Sequence, residues 1–261
     1  MNCLIVGEKL IMMENSKIKT IVDGILIPYA IYFLVTFVVT GVYVFVTNNK
    51  NPNAVMIQGI ANVFVFISLL PFYLRFIKRY NIGTKKLNFK VLFYLIPLAF
   101  SVCLIGNILI SYIPITTENI VSTEVFKIVE EYNIYISLLI VSILVPLVEE
   151  LLFRGFFYDT VKLLSNDVVA IIFTSIAFAV AHFNWQQGLY ALFAGIFLGF
   201  VKCRHKKLIY PIVMHLLMNL ASIVLVPTIL TTCDFKQQLF ALFISFCLLN
   251  ASIYRLGFSD L

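Results

Sequence analysis

The chain has 261 residues, 61% of them apolar and only 12% charged, with a mean hydropathy of +1.00. A soluble domain carries roughly twice that share of charge, and no water-soluble fold of this size hides 25 Phe and 13 Tyr behind so few charges. Disorder, collagen-like, disulfide-rich secreted and nucleic-acid-binding classes are excluded, and an all-α, polytopic membrane helix bundle is expected. The formal charge of +6 then records where loops lie relative to a bilayer.

The first twenty residues hold no apolar core ahead of a cleavage site, so no secretory signal is read there. Glu8, Lys9, Glu14, Lys17 and Lys19 place residues 1–19 on the membrane surface. Met12 and Met13, ahead of Glu14-Asn15-Ser16-Lys17, offer a second candidate start. A bilayer core of about 30 Å takes about 20 apolar residues of helix. Eight runs are read as crossings: 23–47, 54–74, 89–113, 134–157, 167–184, 187–201, 208–226 and 237–254. None of them shows the period-2 alternation of a β-barrel strand. The expected organisation is an N-terminal segment of three spans (1–130), a core of spans four to seven (131–226), and a last span with a short tail (227–261).

Alternate loops differ sharply in charge. All of the 19 Lys and Arg residues except Lys50, Lys127 and Lys236 fall on one side. The positive-inside rule makes that side cytoplasmic, with both termini in the cytosol. Glu118, Glu124, Glu130, Glu131 and Asp234 fall opposite. Cys3, Cys103, Cys203, Cys233 and Cys247 are odd in number, form no C-x-x-C pair, and read as small buried hydrophobes.

Ionisable groups inside a membrane span are expensive and mark function by default. Here they are Glu149, Glu150 and Arg154 in the fourth span, His182 in the fifth, and His215, with Asn219, in the seventh. Glu149 and Glu150 are the only acids placed deep in a span. His205 belongs to the basic loop 202–207, and Asn62, Asn107 and Asn250 read as amides that bind helices together. Residues i and i+4 share a helix face, so Glu150 pairs with Arg154 while Glu149 points away, along the face of Val145 and Phe153. Phe178 lies one turn from His182, and His215 one turn from Asn219. The blander reading is a structural charge cluster with interfacial histidines. Against it, two acids share a single cation, and a carboxylate, imidazoles and an amide make up the set that water activation requires. The sixth span, Ala191-x-x-x-Gly195-x-x-x-Gly199, permits close helix approach.

Glu149-Glu150-x-x-x-Arg154, Phe178-x-x-x-His182 and His215-x-x-x-Asn219 together resemble the three signature motifs of the CPBP family of intramembrane endopeptidases. That family joins type II CAAX prenyl proteases to bacteriocin-processing and immunity proteins. The resemblance covers roughly residues 135–225. It implies hydrolysis of a peptide bond in a hydrophobic or membrane-associated peptide or protein, at or within the membrane. By the same resemblance Glu149 activates water with help from His182, His215 and Asn219 polarise the carbonyl, and Glu150, Arg154 and Phe178 support them. Glu149, His182 and His215 would suit a three-ligand zinc site with an open fourth position; the same groups would also serve a metal-free glutamate mechanism. The alternative is a non-catalytic immunity or regulatory membrane protein that binds a peptide or partner. A transporter fits less well, because no matching polar set occurs in the first three spans. Abundant Ile, Asn, Lys and Phe suggest an AT-rich bacterial genome, hence a bacterial plasma membrane and a substrate other than a prenylated protein.

One tension stands. His182 falls at the outer end of its expected span, whereas Glu149 lies well inside its own.

Overall fold

A computed structural model describes residues 14–48, 54–83, 85–113 and 134–257. The second candidate start, Cys3 and the acidic loop with Lys127 lie outside these residues. Eight helices and no strand are present among the described residues. They are α1 (Glu14–Thr47), α2 (Ala54–Arg79), α3 (Phe89–Ser111), α4 (134–164), α5 (Asp167–Val180), α6 (Trp185–His205), α7 (Ile209–Thr232) and α8 (Phe235–Arg255).

Short polar side chains start several of these helices. Asn88, Asn166 and Asn184 each accept a backbone N–H of the first turn, from Lys90, Val169 and Gln187. Asp234 and Gln237 exchange side-chain and backbone bonds as a capping box. Proline shapes two other places. Wide π turns at Val22–Leu26 and Ile140–Leu144 each end two residues before a proline, Pro28 and Pro146. A proline ring clashes with the carbonyl four residues back, and a widened turn relieves that contact.

Five helices are long and apolar enough to cross a membrane: α1, α2, α3, α7 and α8. The expected eight crossings are therefore not all matched. α4 is interrupted by two π segments, Ile140–Leu144 and Leu151–Phe157. α5 has only 14 residues, a length of roughly 21 Å, short of a core about 30 Å thick. α6 carries Gln186, Gln187, Lys202 and Arg204. Residues 14–19, expected on the surface, are the first turns of α1, because no breaker separates them from the apolar run.

Large apolar side chains cover the outside: Phe33, Leu34, Phe37, Phe45 and Phe243 are all exposed. Such a surface is stable against lipid and not against water, and the chain is an integral membrane protein. Inside, α3 packs on α6, α7 and α8 through Leu95, Leu98, Val102, Leu198, Met214 and Leu249. A second core joins α2 to α4 through Leu69, Tyr73, Phe76, Leu152 and Phe156. Of the cysteines described, Cys103 and Cys203 are buried as expected, but Cys247 is exposed among the outward-facing residues of α8, and all four are free.

Two charges lie deeper than the sequence suggests. Lys202, assigned to a basic loop, is buried in the last turns of α6, and its Nζ lies 2.9 Å from Asp159 Oδ2. Asp159 is likewise buried and accepts from the Tyr73 hydroxyl at 3.1 Å. Helix α4 runs on to Leu164 where the sequence suggested an end near 157, which carries this acid into the bundle.

Candidate active site

The middle of α4 supplies the acids. Glu150 is fully buried, and its Oε1 accepts from Arg154 Nη1 at 2.9 Å, as the i, i+4 spacing predicts. The pair survives although the segment from Leu151 to Phe157 is π-helical. Arg154 is also fully buried. Its Nη2 donates to the Gly195 carbonyl at 3.3 Å, and its guanidinium lies 4.4 Å from the centre of the Phe178 ring. A Cβ on Gly195 would stand 3.1 Å from that Nη2 and 3.2 Å from Ser175 Cα. The small residue of the sixth span thus admits both the arginine and the neighbouring α5.

Glu149 is turned the other way, as expected, and is partly accessible, its side chain 27% exposed. Val145 lines the cavity beside it, whereas Phe153, placed on the same face by the sequence reading, is buried edge-on against Phe178 at 5.2 Å. The π segment after Glu150 explains the divergence, since it rotates later residues off the regular 100° progression.

His215, buried on α7, bridges the two acids. Its Nδ1 is 2.8 Å from Glu150 Oε1 and its Nε2 is 3.7 Å from Glu149 Oε2. A carboxylate held by Arg154 accepts only, so Nδ1 carries a proton and Nε2 faces Glu149. His182 is placed in the same way. Its Nδ1 is 2.8 Å from the Phe178 carbonyl, which cannot donate, so Nε2 is the free nitrogen. The Phe178 ring lies edge-on to both imidazoles, 4.8 Å from His182 and 5.6 Å from His215.

The tension over His182 resolves through the length of α5. The helix stops at Val180, and the chain turns at Phe183, whose φ of 50° is left-handed, before α6 starts at Trp185. The turn is exposed at Phe183 and Trp185, yet it sets His182 on the wall of the cavity that Glu149 and His215 also line.

Glu149, His182, His215 and Asn219 line one cavity of about 700 Å³, a size that suits a small-molecule or peptide segment. Asn219 also donates its Nδ2 to the Val141 carbonyl at 3.0 Å, tying α7 to the first π segment of α4. One of its two N–H groups is thereby engaged in structure. Sequence reasoning missed part of the wall. Gln186, Gln187 and Tyr190 face the cavity from α6, and Asn107, set aside as packing, reaches it from α3. Two consecutive glutamines opening an apolar helix were the available signal. Among the described residues, no three His, Cys, Asp or Glu side chains stand close enough together to hold a metal ion. As placed, Glu149, His182 and His215 do not form the zinc set that the sequence suggested.

Residues 131–221 match the family model of Rce1-like proteins, described as type II CAAX prenyl endopeptidase Rce1-like. No curated protein and no solved structure matches the chain. The matched segment spans α4 to α6 and the first half of α7 and contains every residue of the three motifs.

Proposed function

We propose that this chain, with its Rce1-like type II CAAX prenyl endopeptidase domain at residues 131–221, hydrolyses a peptide bond in a hydrophobic or membrane-associated peptide. The observation that carries the reading is the meeting of Glu149, His182 and His215 on one cavity wall, from three separate helical regions. Glu149 takes a proton from water as the oxygen adds to the scissile carbonyl carbon. The negative charge that develops on the carbonyl oxygen is met by the remaining N–H of Asn219, with the imidazoles of His182 and His215 beside it. When the C–N bond breaks, Glu149 returns its proton to the leaving amine. Glu150 fixes the His215 tautomer, and Arg154 holds Glu150. No step is routed through a metal.

The mostly apolar wall, with Met218, Ile223 and Val226, favours an apolar stretch of substrate. A peptide pheromone, a bacteriocin leader or a membrane-protein tail has this character, which makes bacteriocin immunity or peptide-signal processing the setting we favour. The bilayer is the working medium, with the cation-rich face and both termini in the cytosol of a bacterial cell. We assign residues 131–226 as the catalytic core, flanked by 1–130 and 227–261.

The experiment compares new peptide N-termini in membranes of cells expressing the wild type and E149Q at equal level. Wild-type membranes should contain termini that E149Q membranes lack. Identical termini from both would remove Glu149 from the reaction. The non-catalytic reading, a membrane immunity protein that binds a peptide, draws on the engagement of Asn219 with Val141. It requires that an E149Q/H182A double variant keep full immunity.

A further inference from the structure

At the other end of α3 from the active-site cavity lies a second hollow, of about 510 Å³. The cavity described above meets α3 at Asn107 and Tyr112, whereas this hollow meets it at Asn88, Lys90 and Tyr94. Five cations line it: Lys85, Lys86 and Lys90 from the α2–α3 connection and the first turn of α3, Arg204 from the end of α6, and Arg255 from the end of α8. Among the described residues, no Asp or Glu lines it. His205 and Tyr210 also line it, their rings 5.1 Å apart, and His205 Nε2 is buried with no hydrogen-bond partner among the described residues.

Cations near helix C-termini have an ordinary explanation, since they complement the negative end of the helix dipole. Arg204 and Arg255 fit it, and Lys85 donates to the Arg204 carbonyl at 3.0 Å. Lys86 and Lys90 do not. Lys90 occupies the first turn of α3 and Lys86 precedes its cap, where the dipole repels a cation and attracts an anion. Neither makes an ion pair among the described residues. Beside them Leu87, Phe89 and Phe93 are exposed apolar side chains. A cationic hollow edged by an apolar strip matches a ligand with an anionic head and a hydrocarbon tail.

We infer that the hollow lined by Lys86, Lys90, Arg204 and Arg255 binds a phosphate-bearing anion, with the headgroup of an anionic phospholipid as the favoured source. The phosphate sits among the cations at the start of α3, and the acyl chains run along Phe89 and Phe93. This site is separate from the proposed hydrolytic one and stands or falls independently of it.

The test uses native mass spectrometry of the full-length protein, released from micelles holding equal phosphatidylglycerol and phosphatidylcholine. Phosphatidylglycerol should be retained selectively, and K86Q/K90Q should bind it about 30-fold more weakly. F89S should weaken phosphatidylglycerol and leave inorganic phosphate binding, followed by calorimetry, unchanged. Binding of inorganic phosphate, weakened by K86Q/K90Q, without lipid selectivity would keep the anion site and make free phosphate its source. The inference is overturned if the two lipids are retained equally and phosphate does not bind. It is also overturned if K86Q/K90Q, eluting as a single folded species, binds both anions like the wild type.

Discussion

Arg154 is the residue whose removal the structure prices most clearly. It is fully buried, as is Glu150, and the two are joined at 2.9 Å. R154A leaves Glu150 in the interior with only an imidazole at 2.8 Å to offset its charge. Breaking a buried pair by deleting one partner costs about 3–5 kcal/mol. The guanidinium 4.4 Å from the Phe178 ring contributes about 1–2 kcal/mol when desolvated. Both contributions belong to one group and do not simply add, so about 4 kcal/mol is expected, a large part of a typical stability of about 5–15 kcal/mol. Replacing both partners with apolar side chains of similar volume, E150L/R154M, removes the unpaired charge and should be less harmful than R154A alone. Unfolding in mixed micelles by SDS titration, followed through Trp185 fluorescence, gives both values. The reasoning fails if R154A loses under about 1 kcal/mol, or if the double variant is the less stable of the two.

Other consequences are equally direct. G195A would set a methyl 3.1 Å from Arg154 Nη2 and 3.2 Å from Ser175 Cα, so it should destabilise by about 1–3 kcal/mol and lower cleavage as the arginine shifts. Wild-type stability in the same unfolding assay would contradict the close approach of α5 and α6. Since no step uses a metal, cleavage in membranes should survive dialysis against a chelator. Activity lost on dialysis and restored by zinc would reinstate Glu149, His182 and His215 as ligands. Burial, with Lys85 and Arg204 nearby, lowers the His205 pKa from its ordinary 6.5 to about 4. The unfolded chain therefore binds more protons between these values, and this contribution to stability falls as pH drops from about 6.5 toward 4. K85Q should raise the His205 midpoint, read from labelled imidazole NMR signals assigned with H205Q; an unchanged midpoint would discount the charge of Lys85.

Local spacing carried the polar chemistry well. The i, i+4 rule paired Glu150 with Arg154 and stacked Phe178 under His182, and the structure has both contacts. It fared worse with Phe153, because a π segment follows Glu150 and such a segment leaves little mark in composition. Asn219 shows a different limit. Its place beside the cavity follows from its spacing to His215, but its bond to Val141 depends on how α7 lies against α4. Lys202 and Asp159 are 43 residues apart, and nothing local to either indicates that they neutralise each other in the interior.

Low charge and long apolar runs were sufficient by themselves to make this an all-α membrane protein, because backbone polar groups in lipid must be satisfied within each helix. The same scarcity of charge singled out Glu149, Glu150, Arg154, His182 and His215, since every ionised group in a span must be matched by a partner or a use. Depth was beyond the reach of the sequence. A helix end is decided by packing as much as by hydropathy, and only the assembled bundle stops α5 at Val180 and starts α6 at Trp185. The turn between them sets His182 on the wall that Glu149 and His215 share, so that residues of three scattered motifs line a single cavity.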